Sequence, residues 1–599
     1  MSGTATEDQQ PPETRSLPAR PRTPTAGAPA RPAPRGAPRS SAPSPLGRFL
    51  ARAAALTAAL TAAGSLLGLV RDQAIAHLFG ADGDTDAFLV AWTVPELAAT
   101  LLIEDAMALV LVPAFSLALS RRTASGRDPA APDPVRALVT ATFPRLFAGL
   151  VAVAALLLAT APVLVRALAP GLADPGLAVT CTRLTAVAVV TFGAAGYLSA
   201  ALRAHDSFAP PAAIYVAYNL GICATMFALH SLLGVRAAAV GVALGGAMMV
   251  LVQLPFFLRR LNPRSPDRRR AAAPDAGRAP ASDAGPAPDT DVALAPAPAP
   301  LPVPSPGPAA ARIGLLSLGG IAPVLLFAVA RQAQVLVERH FGSSLSAGAI
   351  SHLNYAQKVA QMPMVLSLMI CTVTFPAVAR AMADGDADRA RRRVERDLAL
   401  AAVVVLLGAA YVVGYAPQII ELLFQRGEFD ASDTAATASV MRVYSLGLLG
   451  HSLVGALVRP FFAAARPTWY PAGAMAAGLL LTVAASAAMA PHWGIHGIAA
   501  ANAAGITTTA LLLLRGLGTR VIAIRVRRVA GDLGRLTLPA VAAAGAGWTL
   551  APAISHTALT VAVGALTVPA VFVATAFVVR APEVPQLTVT LTRKLRHAR

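Results

Sequence analysis

The chain has 599 residues, of which 55% are hydrophobic and only 14% charged, and it carries a net charge of +19. A soluble domain is nearer 25% charged, so the composition excludes an ordinary soluble globular protein. The positive charge sits in tails and connections, where loops rich in Lys and Arg beside anionic headgroups account for it without nucleic acid. The basic runs also lack the interleaved aromatics on which single-stranded nucleic acid stacks. Cys181, Cys223 and Cys371 all fall in apolar stretches, which excludes a disulfide framework and a cysteine-rich metal site.

Residues 1–48 are rich in Pro, Arg, Ala and Ser and hold no apolar core, which predicts a disordered basic cytoplasmic tail and not a cleaved signal peptide. A bilayer crossing needs about 20 apolar residues. Six such stretches follow, near 50–78, 86–117, 137–168, 177–203, 209–233 and 236–258, and make an N-lobe over 49–260. Ala-Pro runs over 261–311 predict a disordered cytoplasmic linker. Six more stretches, near 313–341, 349–380, 396–417, 434–463, 469–490 and 495–516, make a C-lobe over 312–517. Stretches near 534–552 and 557–580 are extra helices within 518–580, and 581–599 is a basic cytoplasmic tail. The expected fold is all-α and polytopic, with about fourteen transmembrane helices. Two six-helix lobes surround a central cavity, and two C-terminal helices are added.

Charge in the connections alternates along the chain. Asp82, Asp84 and Asp86 follow the first span, and Arg121, Arg122, Arg127 and Arg136 follow the second. Arg203, the linker, Arg391 to Arg393, Arg466 and the stretch from Arg515 to Arg535 continue the basic set. The connections between them are neutral or acidic, except for a lone Arg236. Short Lys/Arg-rich loops stay cytoplasmic, so both termini are expected in the cytoplasm of a cell-membrane protein.

A faint internal repeat runs through the two halves. Arg71, Phe79-Gly80 and Pro113 find counterparts in Arg331, Phe341-Gly342 and Pro376, with Gly-to-Pro distances of 33 and 34 residues. Both copies begin on the same side, so they are parallel repeats, an arrangement that places substrate between the lobes. Pro95, Pro113, Pro363 and Pro376 lie within spans, where proline permits bending.

No phosphate loop, nucleophile elbow or His-Glu-x-x-His motif occurs. The reading is therefore a transporter and not an enzyme, with no metal or cofactor. It would be driven by the membrane potential or by a coupling cation. His492 and His496 flank Trp493-Gly494 and read as structural or interfacial. Charges inside spans are costly and normally face a wet cavity or a partner. The set is Arg71, Asp72, Asp86, Glu104, Asp105, Arg331, Glu338, Arg339 and Lys358, with Arg71, Glu104 and Lys358 deepest. Arg145, Arg166 and Arg183 read as helix-end residues. Cavity cations suggest an anionic, phosphate-bearing substrate.

The motif series is specific. Gly68-Leu69-Val70-Arg71-Asp72, Phe79-Gly80, Thr85-Asp86-Ala87-Phe88, Pro95 and Glu104 resemble the first two spans of the MurJ/MviN family, lipid II flippases of the multidrug/oligosaccharidyl-lipid/polysaccharide exporter superfamily. Ile350-Ser351-His352-Leu353-Asn354-Tyr355-Ala356-Gln357-Lys358 with Pro363 is similar to that family's eighth span. Leu422-Leu423-Phe424-Gln425-Arg426-Gly427-Glu428-Phe429-Asp430, Thr434 and Tyr444-Ser445-Leu446-Gly447-Leu448 resemble its ninth-to-tenth connection.

The resemblance implies a cationic cavity for an undecaprenyl-pyrophosphate-linked precursor and movement from the cytoplasmic to the outer leaflet by alternating access. It assigns Arg71, Lys358 and Arg331 to the substrate, and Asp86, Glu104 and Gln361 to shaping or gating the cavity. Membrane lipids, and cell-wall synthesis proteins through the tails, are the implied partners. The chain also departs from the family. Ser65-Leu66 and Ala99-Thr100 stand where the family usually has arginines, Gln357-Lys358 replaces Asp-Arg, and Gln361 replaces a frequent acid. Those departures keep two alternatives open: an exporter of another polyprenyl-linked glycan or amphiphilic drug, and a non-transporting scaffold for cell-wall synthesis.

Overall fold

The structure, a computed structural model, describes residues 45–124, 133–261, 318–463 and 468–580. Most of the two predicted tails and of the linker therefore lies outside the described residues. The described residues form helices joined by short turns, with no strand among them. That follows from the sequence. Apolar segments of this length must satisfy their own backbone in hydrocarbon, and a helix does so within one segment.

The first bundle begins with α1 (Pro45–Phe79), which starts four residues inside the segment assigned to the tail. Helix α2 (Gly83–Ala99) is capped by Asp82, whose carboxylate accepts from the amides of Asp84 and Thr85. It runs through a π-helical segment, Thr100–Ala106, into α3 (Met107–Ala124). Helices α4 (Pro134–Leu168), α5 (Pro175–Ala186), α6 (Ala188–Ala204), α7 (Ala209–Leu233) and α8 (Arg236–Leu261) complete it.

The second bundle holds α9 (Leu318–Gly342), α10 (Ala349–Ala360), α11 (Met362–Ala383), α12 (Ala387–Phe424), α13 (Ala431–Ser445), α14 (Leu448–Ala463) and α15 (Tyr470–Arg520). Helices α16 (Val526–Leu550) and α17 (Thr557–Val578) pack on α12. In both bundles the second span is interrupted, by the π segment in one and at Gln361 in the other.

Nine helices among the described residues are long and apolar enough to cross a membrane, or ten if α13 and α14, bent by 47°, count as one span. Two predicted spans, 469–490 and 495–516, form the single long α15, turned back at Gly494 with φ 53°. There His496 shares a 2.8 Å hydrogen bond with Ser439, a structural contact. The outer surface is apolar: Leu156, Leu566 and Val578 are 60%, 75% and 81% exposed. Such a surface suits lipid, and the chain is a multi-pass membrane protein.

Small residues bring the helices together, as is usual where lipid removes the hydrophobic drive between them. A Cβ at Gly221 of α7 would lie 2.9 Å from the Cα of Gly245 in α8. On α12 the buried ring of Tyr415 fills the space beside Gly547 and Gly564 of α16 and α17. The Tyr411 hydroxyl donates to the Val561 carbonyl at 2.9 Å. These contacts fix the two added helices to the second bundle.

At one end the bundles meet through loops 80–82, 343–348 and 425–430. The Glu428 amide donates to the His77 carbonyl at 3.1 Å, and the Gly171 amide to the Ser343 hydroxyl at 3.3 Å. Asp430 caps α13 here, and donors at Asp433 and Ser432 hold its carboxyl below the usual carboxylate range. Gly348 adopts φ +85°, and a Cβ there would collide with the carbonyl of Ala81 from the other bundle. Forcing a side chain into such a conformation costs about 1–3 kcal/mol before any clash. Gly348→Ala is therefore expected to lower the melting temperature of the purified protein, whereas Gly473→Ala, at a site with open space around it, leaves it nearly unchanged.

Candidate functional site

The deepest charges gather around one indole. Arg71 and Asp72 sit on α1, Trp92 on α2 and Lys358 at the end of α10. Arg71 donates through Nε and Nη2 to Asp72 Oδ1 at 3.1 and 2.8 Å. Its Nη1 donates to Asn219 Oδ1 at 3.0 Å, and the Asn219 amide in turn donates to the Gly64 carbonyl. Lys358 Nζ lies 3.3 Å from Asp72 Oδ2 and 3.4 Å from Oδ1. The Trp92 ring faces both cations, 4.2 Å from the guanidinium carbon and 4.6 Å from the ammonium nitrogen. A desolvated cation over an indole gains on the order of 2 kcal/mol. Asp72 and Trp92 thus hold two like charges side by side in a place that would otherwise expel them.

A polar cavity of about 330 Å³ opens beside this group. Thr93, Glu96, Leu97 and Thr100 line it from the first bundle. Arg331, Gln332, Gln334, Val335, Gln357, Lys358, Gln361, Met364 and His451 line it from the second. Arg331 lies eleven residues from the end of α9 at Gly342, about 16 Å at 1.5 Å per residue, so the cavity lies about three helical turns from that end. Lys358, Arg331 and Gln361 reach it. Arg71 does not; it stands one layer behind, covered by Asp72 and Trp92. Glu104 lies in the π segment, and its side chain is outside the described residues.

On the other face of the same helix junction is an apolar groove of about 460 Å³. Val359, Met362, Pro363 and Leu366 line it together with Leu407 and Tyr411 of α12 and Val568 and Pro569 of α17. The break at Gln361 therefore turns a polar wall toward the cavity and an apolar wall toward the groove.

Asp86 is not in the cavity. Its carboxylate caps α10 from across the gap between bundles, accepting from the amides of Gly348 and Ser351 at 2.9 and 2.7 Å and from the Ser351 hydroxyl at 2.6 Å. A carboxylate at a helix N-terminus satisfies free amides and complements the helix dipole. Asp86 thus ties the two bundles together and does not line the cavity.

Glu338 and Arg339 are 1% and 3% exposed. Glu338 accepts from Asn502 at 2.8 Å and Gln357 at 3.3 Å. Arg339 donates to Thr93, to the Ile350 carbonyl and to Asn354. Sequence reasoning missed Trp92, Asn219 and Glu96. Trp92, one of only four tryptophans in the chain, offered a signal, since an indole is the best side chain for a cation.

Hydrogen bonds to a charged group contribute about 1.5–3 kcal/mol each. Asp86→Ala removes three of them at the closed end. It is expected to raise the labelling rate of an Ala81→Cys variant by an impermeant thiol reagent at least about tenfold, corresponding to 1.4 kcal/mol. Ser351→Ala should give a smaller rise in the same assay.

Comparison with known proteins agrees with this architecture. The family model described as "Lipid II flippase MurJ" matches residues 75–290 and 291–569. The lipid II flippase MurJ of Burkholderia cenocepacia is 27% identical over 474 residues, covering 76% of this chain and 81% of its own. A probable lipid II flippase MurJ of Vibrio cholerae is 25% identical over 501 residues, covering 80% and 85%. Among solved structures, a lipid II flippase MurJ in an inward closed conformation superposes with TM-score 0.64 at 15% identity, covering 88% of this chain and 99% of its own. An inward-facing MATE family multidrug transporter of the MOP superfamily gives 0.52 at 14% identity, covering 78% and 96%. At these identities the superpositions speak for the fold, whereas the family model spans most of the sequence: the chain belongs to the MurJ lipid II flippase family.

Proposed function

We propose that this protein moves lipid II, a peptidoglycan precursor linked through a diphosphate to a polyprenyl chain, from the cytoplasmic to the outer leaflet by alternating access. One observation carries the reading. The polar cavity with Lys358 and the apolar groove along Met362 and Leu407 lie on opposite faces of one helix junction. An anionic head suits the first and a long hydrocarbon tail the second. The head remains in a wet, cationic space and the tail remains in oil. The relatives' name points the same way.

In this reading the chain crosses the cytoplasmic membrane fourteen times, with both termini in the cytoplasm. The breaks within α2–α3, α5–α6, α10–α11 and α13–α14 fall inside single crossings, and α15 makes two. Basic residues such as Arg121, Arg203, Arg259 and Arg527 then lie inside. The loops joined by Asp86 and Gly348 lie outside, so the closed end is the outer gate. The membrane potential or a coupling cation supplies the energy, and the chain performs no covalent chemistry. The tails meet cell-wall synthesis proteins.

Reconstitution tests this. Vesicles holding the purified protein and lipid II should move the lipid between leaflets faster than empty vesicles. Lys358→Gln and Arg71→Gln should each cut the rate about tenfold to a hundredfold, the loss of one charged contact; Lys358→Gln should melt close to the parent, whereas Arg71→Gln should melt lower because it strips buried Asp72 of its main partner. Leu407→Glu in the groove should slow lipid movement as well, without weakening binding of a soluble diphosphate. No acceleration by the parent protein, or full activity in both cation variants, would sink the proposal.

A further inference from the structure

The two cations are already occupied. Asp72 takes both nitrogens of the Arg71 fork and the Lys358 ammonium on its two oxygens. Trp92 covers another face of each cation. The Asp72 and Arg71 side chains are 6% and 10% exposed, against 24% for Lys358. A ligand in the cavity therefore meets Lys358 first, and reaches Arg71 only if Asp72 moves.

We propose that Asp72 is an exchangeable counter-ion, a built-in stand-in for the substrate's diphosphate that competes with it for Lys358 and Arg71. This rests on the head-binding role given to the cavity under the proposed function. Two features support it.

Arg71 keeps a second partner in Asn219, itself tied to the Gly64 carbonyl. The guanidinium thus stays in place when Asp72 lets go, ready for a bidentate phosphate contact. Finally, Asp72 belongs to the first bundle and Lys358 to the second, so their pair also ties the bundles together. Exchange breaks that tie and creates one through the ligand, which links occupancy of the cavity to movement of the bundles. A like-for-like swap also keeps the head from being held too tightly to leave.

The test is equilibrium binding of inorganic pyrophosphate and of farnesyl diphosphate to the purified full-length protein in nanodiscs. Asp72→Asn, nearly isosteric and uncharged, should bind both probes at least tenfold more tightly than the parent and flip lipid more slowly, because release becomes limiting. Asp72→Glu, which keeps the charge, should stay close to the parent. A purely structural Asp72 predicts the reverse for Asp72→Asn: weaker binding, because the cations lose the group that positions them. Unchanged or weaker binding by folded Asp72→Asn overturns the inference whether or not the parent binds the probes detectably. Asp72→Ser decides by the same criterion if Asp72→Asn does not fold. If the parent neither binds the probes nor moves lipid, the proposed function itself fails. If the parent does both and neutral variants gain no affinity, only the role of Asp72 falls.

Discussion

A charge held at the depth of hydrocarbon must be paired or kept wet, because the bilayer offers it nothing else. Lys358 and Arg71 satisfy that requirement through one carboxylate and one indole. The remainder of the centre is arranged around them. The cavity borders Lys358, the Asn219–Gly64 contact braces the guanidinium, and the loops joined through Asp86 tie the bundles together at one end.

Much of this was legible in the chain. Span positions followed from apolar length, and α7 occupies 209–233 as read. The depth of Lys358 followed from its place inside a span. The irregular points were less visible. The π segment at Thr100–Ala106 is set by tertiary packing: the backbone at Leu102 lies where a Cβ at Gly196 would stand, 2.6 Å from its carbonyl oxygen. No local propensity reports such a contact. Nor does sequence position separate Arg71, which is screened, from Arg331, which lines the cavity, since both sit inside spans. Asp86 was read as shaping or gating the cavity, and its geometry is that of a cap between bundles. That outcome depends on the loop at Gly348 arriving from more than 250 residues away.

The departures from the family pattern now have places. Thr100, where an arginine is usual, lines the cavity and accepts from Gln332 at 3.2 Å. Gln357 and Gln361 line it as neutral amides. Leu66, the other departure, is 65% exposed on α1. The cavity wall thus carries fewer cations than the family pattern, with amides and hydroxyls in their place.

The most direct test is a cryo-electron microscopy structure of the full chain in nanodiscs with a polyprenyl diphosphate bound. The account predicts phosphate density in hydrogen-bond contact with Lys358 and hydrocarbon density running along Met362 and Leu407. Phosphate density outside the cavity, with Lys358 still engaged by Asp72 and the groove filled only by bulk lipid, would contradict it.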